Sequence, residues 1–214
     1  MRPIGVLGGT FDPIHVGHLR SALELLETLD LAELRFVPAK QPPHRPLPRL
    51  DGASRARLIS SAIRNQPGFV LDTRELSRPG PSYTVDTLAA MRAEAGDQPL
   101  CLILGTDAFL GLPKWHRWEK LLELAHIIVM GRPGTSLTLP GELGAVMADQ
   151  LTRDGRELCE RPAGCVYCWD GTPLAISATQ IRSLIASGRS ARYLVPDEVW
   201  NIILTEEMYK SDAI

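Results

Sequence analysis

The chain has 214 residues, 44% of them hydrophobic, and a formal net charge of −2. That length suits a single domain over residues 1–214 with a substantial core, and the near-neutral balance removes any global case for a nucleic-acid or membrane partner. No apolar run is long enough to span a bilayer, no signal peptide fits ahead of the first strand, and four cysteines without a spaced framework point to a reducing cytoplasm.

A short apolar run, Ile4–Leu7, reads as a first strand, and Leu19, Leu23, Leu26 and Leu29 mark a helix over residues 16–29. Between the two cores of these elements lies Gly8-Gly9-Thr10-Phe11-Asp12-Pro13-Ile14-His15-Val16-Gly17-His18. Gly8 and Gly9 let backbone N–H groups approach a ligand closely. The helix start behind them offers free N–H donors and a positive dipole end. His15 and His18 are three apart and can share one side of the first turn. Together these describe a site for a phosphate that is transferred, not merely held. The alternative is a plain strand–turn–helix whose histidines cap and pack; zinc would need a third ligand, and none is obvious nearby.

Further strands are expected at Leu34–Val37, Phe69–Leu71, Leu100–Leu104 and Ile127–Met130, with helices at about 51–65, 84–95 and 117–125. Asp51 is a candidate N-cap, as is Ser82 or Tyr83 before the third helix. This alternation predicts an α/β fold, a doubly wound parallel sheet with helices on both faces. Ligands of such sheets bind outside the carboxyl ends of the strands. The Gly8–His18 turn, the Pro38–Pro48 loop and the Gly105–Asp107 turn all fall at that edge. Five prolines in eleven residues make Pro38–Pro48 a stiff, extended loop, and it carries Lys40 and His44, which read as phosphate donors or as plain solvated residues. Residues 40–57 hold Lys40, Arg45, Arg49, Arg55 and Arg57 against Asp51 alone, which suggests a small anionic ligand. Asp107 suits ribose hydroxyls, with Gly105 letting a nucleotide lie close; a helix N-cap is the alternative.

Trp115 and Trp118 either pack a core or lid, or offer an aromatic face to a ring. Residues 131–144 read as a second surface loop, followed by short strands near Val166–Trp169 and Leu174–Ile176. Cys159, Cys165 and Cys168 form a C-x5-C-x2-C cluster. If 166–169 is a strand, Cys165 and Cys168 point to opposite faces, and Cys101 lies on another strand, so zinc is disfavoured. Ser177, Thr179 and Arg182 open a helix to about Ala186, where hydroxyls, N–H groups and a guanidinium suit phosphate oxygens; a simple capped helix would look the same. Pro196 starts the last helix as an N1 residue would, giving a C-terminal helical portion.

His15-Val16-Gly17-His18 resembles the HxGH signature of the nucleotidylyltransferase superfamily, and Gly8–His15 most resembles the bacterial nicotinate-nucleotide adenylyltransferases. Pro38–Arg45, Pro81–Thr87, Gly105-Thr106-Asp107 and Trp115–Trp118 resemble that family in the same order, as Ile176–Arg182 resembles its ISxTxxR motif, with Ala178 where members often carry a second Ser. The resemblance implies a Rossmann-like nucleotidylyltransferase fold and adenylyl transfer from ATP to nicotinate mononucleotide in NAD biosynthesis. It makes His15 and His18 catalytic. It places Gly8, Gly9, Thr10, Phe11, Lys40, His44, Gly105, Asp107, Ser177, Thr179 and Arg182 at ATP, and Thr84, Trp115 and His116 at the mononucleotide. Mg²⁺ would arrive with ATP, with no dedicated protein cage. Two rivals are a sibling enzyme with another acceptor and a non-catalytic nucleotide sensor; paired histidines argue against the sensor.

Overall fold

The computed structural model describes residues 1–43, 46–131, 140–172 and 174–210. Seven strands form one sheet: β1 (Ile4–Gly9), β2 (Glu33–Pro38), β3 (Phe69–Leu71), β4 (Leu100–Gly105), β5 (His126–Gly131), β6 (Leu151–Thr152) and β7 (Val166–Asp170). Their order is β3-β2-β1-β4-β5-β7-β6, and every pairing is parallel. The helices are α1 (Val16–Thr28), α2 (Gly52–Ile63), α3 (Arg74–Ser77), α4 (Thr84–Ala95), α5 (Thr106–Leu110), α6 (Leu121–Leu124), α7 (Gly141–Met147), α8 (Ala178–Ala186) and α9 (Asp197–Thr205).

Side chains alternate across the strands and build two cores. Leu7, Cys101, Ile103 and Ile128 face one layer, closed by residues of α1, α2, α8 and α9 such as Leu25, Leu58, Ile181 and Trp200. Val6, Leu102, Leu104, Ile127 and Val129 face the other, closed by Leu88 and Met91 of α4, Leu121 of α6 and Leu143 of α7. Burial on both faces is why these strands read as continuous apolar runs. The strand order reverses between β1 and β4, so the crevice opens at their carboxyl ends, beside Gly8, Gly9 and Gly105.

Asp51 caps α2, its Oδ1 accepting from Ser54 N at 2.7 Å. Tyr83 occupies the N-cap of α4 without a side-chain bond. Several expectations are corrected. Residues 117–125 are not one helix: Arg117 adopts a left-handed φ of 53°, so a 3₁₀ turn at Trp118–Lys120 precedes α6. Part of the expected 131–144 loop is the start of α7; residues 132–139 lie outside the described ones. Leu174–Ile176 forms no strand; the chain instead crosses to the N-terminus of α1, where Ile176 sits 3.6 Å from the position a Cβ on Gly17 would take. Pro196 is the N-cap of α9 rather than its first residue. Gly105 takes the N-cap of α5, leaving Asp107 in the first turn.

Candidate active site

A cleft of about 1190 Å³ opens at the sheet's switch point. Gly8, Gly9 and Thr10 line one wall, Gly105, Thr106 and Asp107 another, and Tyr83, Thr84, Trp115 and His116 the far end. Among the described residues, a Cβ at Gly8 or Gly105 would meet no atom within 4 Å beyond its own chain neighbours. Both glycines therefore present bare backbone to the cleft. Elsewhere glycine answers to the fold: a Cβ on Gly17 would stand 3.0 Å from His15 Nδ1, and one on Gly171 would lie 1.7 Å from the Trp169 ring.

His15 is the N-cap of α1 and His18 its third residue, so the helix geometry stacks their rings at 3.6 Å and 20°. The His15 N–H donates to His18 Nδ1 at 3.3 Å. A neutral imidazole that accepts at Nδ1 carries its proton on Nε2. His18, half-buried and lining the cleft, thus offers an Nε2–H donor. Burial pushes the His15 imidazole down to about 4. His18 is also held well below its usual range, first by burial and then by the nearby His15. Both rings are neutral at pH 7, so His18 donates without carrying charge. Phe11 packs edge-on to His18 at 5.0 Å. His15, 5% exposed, lies behind His18 rather than on the cleft wall, and its Nδ1 has no partner among the described residues.

The turn between β1 and α1 rests on buried charges. Asp12, 3% exposed, accepts from Arg49 N at 2.7 Å and Leu50 N at 3.3 Å. Arg55, 1% exposed, donates to the Thr10 carbonyl at 2.7 Å. The basic stretch is therefore not a uniform anion-binding face: Arg55 supports the turn from below, and Arg57 pairs with Glu206. Neither Asp12 nor the role of Arg55 was foreseen; a lone acid in an apolar, proline-bounded turn is the available signal.

The remaining expected residues divide. Thr84 heads α4; its N–H and that of Val85 have no backbone partner among the described residues. Trp115 is half-buried on the cleft wall, whereas Trp118 is buried in the second core. Tyr83 and His116 rings lie 4.4 Å apart. Phe11 is buried in the first core, which leaves only its backbone for a nucleotide. Lys40 is exposed and its Nζ donates to the Arg78 carbonyl at 3.2 Å, away from the cleft wall. His44 and Arg45 lie outside the described residues. Ser177 caps α8 by accepting from Gln180 N at 3.2 Å. Arg182 reaches Thr179 Oγ1 at 3.3 Å and the Asp12 carbonyl at 2.7 Å. Ser177, Thr179 and Arg182 do not line the cleft themselves; Ile176 does, and the Arg182–Asp12 bond sets the head of α8 beside the turn before α1. Ser82, weighed only as a cap, accepts from both Lys40 N and Gln41 N and so pins the proline-rich loop. Glu75, also unforeseen, lines the cleft but is buried and accepts from Thr87 Oγ1 at 2.7 Å; burial pushes its carboxyl up.

Bare backbone at two strand ends and a neutral imidazole donor at the head of a helix are the features of a nucleotide-binding transferase site on a parallel α/β sheet. The cytidylyltransferase-like family profile matches residues 6–184. A probable nicotinate-nucleotide adenylyltransferase of Methylococcus capsulatus is 51% identical over 96% of this chain and 99% of its own. One of Halorhodospira halophila is 53% identical over 93% and 91%. The chain belongs to the cytidylyltransferase-like family and, within it, to the nicotinate-nucleotide adenylyltransferases. The fold matches that of a Plasmodium falciparum nicotinic acid mononucleotide adenylyltransferase complexed with NaAD, with TM-score 0.74, 16% identity and 98% of both chains covered. No helix among the described residues is long and apolar enough to cross a membrane.

Proposed function

We propose that this chain joins ATP and nicotinate mononucleotide to give nicotinate adenine dinucleotide and pyrophosphate, as one domain over residues 1–214. The observation that carries the reading is the neutral His18 Nε2–H on a cleft whose two walls are bare backbone at Gly8 and Gly105. In this reading Gly8, Gly9, Thr10, Gly105 and Asp107 hold the nucleotide, and Ser177, Thr179 and Arg182 with the head of α8 hold phosphates. Lys40 would reach them by leaving the Arg78 carbonyl, and the same phosphate-binding role is assigned to His44. The relatives' names and the dinucleotide on the Plasmodium enzyme support the choice of acceptor, and we assign its ring to Thr84, Trp115 and His116 on the cleft lining.

A phosphate oxygen of the mononucleotide attacks the α-phosphorus, and the bond to the bridging oxygen of pyrophosphate breaks. A phosphate nucleophile is already ionised at neutral pH and needs no base. Catalysis then comes from positioning and charge stabilisation. His18 donates from Nε2 to the α-phosphate as charge develops, and His15 fixes the His18 ring and tautomer. Nucleotidyltransferases of this kind use a divalent metal with ATP, and we assign Mg²⁺ here. Among the described residues no cluster of three or more His, Cys, Asp or Glu could hold an ion. The exposed Asp170 on the cleft wall suits its hydration shell rather than a cage. Mg²⁺ would supply charge neutralisation at the phosphates. All four cysteines are free, which suits a reducing, cytoplasmic setting.

The ring's carboxylate would accept from N–H groups at Thr84 and His116. An amide must turn its NH₂ away from them, losing one charge-assisted bond and misplacing one donor. That costs about 2–4 kcal/mol, a factor of roughly 30 to 1000. Pyrophosphate release at saturating Mg·ATP should therefore favour nicotinate over nicotinamide mononucleotide in kcat/KM by roughly 10²-fold. Comparable values would overturn the nicotinate assignment; no release with any acceptor would overturn adenylyl transfer.

A further inference from the structure

The C-terminal segment reaches the catalytic turn twice. The Leu194 carbonyl accepts the Val16 N–H at 2.9 Å, satisfying the first amide of α1. Beyond α9 the chain folds back, and Tyr209, 6% exposed, donates its hydroxyl to Asp12 Oδ1 at 2.8 Å. Asp12 is three residues from His15. Its carboxylate already accepts from Arg49 N and Leu50 N, and its carbonyl receives Arg182 Nη1, whose guanidinium lies 3.9 Å from Asp12 Oδ2. One carboxylate thus joins the Gly8–His18 turn, the end of the proline-rich loop, α8 and the chain's last described turn.

Taking the adenylyl-transfer reading as its basis, we propose that Tyr209 is a positioning residue for the reaction: through Asp12 it fixes the turn that presents the His15–His18 pair and the guanidinium of Arg182. Tyr209 can only donate here. Burial and the adjacent Asp12 charge drive its phenol far above the usual range, so the O–H is retained at every working pH. A buried carboxylate that loses one of its donors is costly, and the cheapest relief is movement of the short turn that carries it. Displacements of that size at a reacting centre act on turnover more than on binding.

The test is Tyr209→Phe in the full chain, with wild type assayed beside it. Removing one oxygen leaves the ring to pack as before. The expected result is a roughly tenfold lower kcat with KM for the mononucleotide unchanged. In ligand-free protein, the His15 ring titration followed by NMR should move up from its depressed position by about one pH unit. In the Asp12→Asn background the same substitution should cost less than threefold, because both changes act on one link. Unchanged kcat and an unmoved titration, or a full tenfold loss in both backgrounds, would overturn the proposal. If wild type releases no pyrophosphate with any acceptor, the functional reading fails by itself. The histidine titration then still decides whether Tyr209 holds the turn.

Discussion

The Gly8–His18 turn and the Pro38–Pro48 loop border the same cleft and are built in opposite ways. The turn is anchored from beneath by Asp12 and Arg55, with Phe11 and Ile14 in the core. The loop is exposed at Lys40, Gln41 and Pro43, and the Lys40 ammonium donates to the backbone carbonyl of Arg78. Ser82 ties only its first residues. Under the proposed function the contrast is a division of labour: groups assigned to developing charge are set before substrate arrives, and groups assigned to capture substrate charge are left in water.

The sharpest way to break that comparison is His18→Ala. It should cut kcat by at least 10²-fold while KM for ATP changes little, since the donor acts mainly in the transition state. Wild-type turnover in steady-state assay would refute the role. Next comes pH. His15 titrates at about 4 folded against 6.5 unfolded, so between those values the unfolded chain binds more protons. Its contribution is full above pH 6.5 and is lost as pH falls toward 4, amounting to about 2 kcal/mol by pH 5. Urea unfolding at pH 7 and pH 5 should show this loss, and it should shrink in His15→Gln. Trp115→Ala should raise KM for the mononucleotide roughly tenfold and leave that for ATP nearly unchanged, as stacking is lost at one end of the cleft only. Equal effects on both substrates would make Trp115 structural. Smallest is Lys40→Ala: a roughly threefold rise in KM for ATP that fades with added salt, kcat being nearly constant. A large loss of kcat would erase the distinction between turn and loop.

Much of the sheet is legible in the sequence because parallel strands buried on both faces declare themselves as apolar runs; β1, β2, β4, β5 and β7 lie within two residues of their expected ends, and β3 coincides. α3, α5, α6 and α7 are four to seven residues long, too short for a helical period to register, and β6 is two. The site divides similarly. Gly8, His18, Gly105 and Trp115 are marked by position at the end of a strand or at the entry to a helix. Asp12, Arg55, Ser82 and Tyr209 act through partners 37 to 197 residues away. No local pattern records such contacts. Lys40 was visible as a charge but not as a side chain turned outward.

The glycines separate two kinds of inheritance. At Gly171 a methyl group would collide with the Trp169 ring, so folding alone forbids change there. At Gly8 and Gly105 a methyl group collides with nothing among the described residues. An added methyl at those two positions is free as far as packing is concerned, and under the proposed function a ligand resting on the backbone is what would police it. A descendant of this chain that abandoned nucleotides would keep Gly171 and drift at Gly8 and Gly105, and the loss of its chemistry would be written there first.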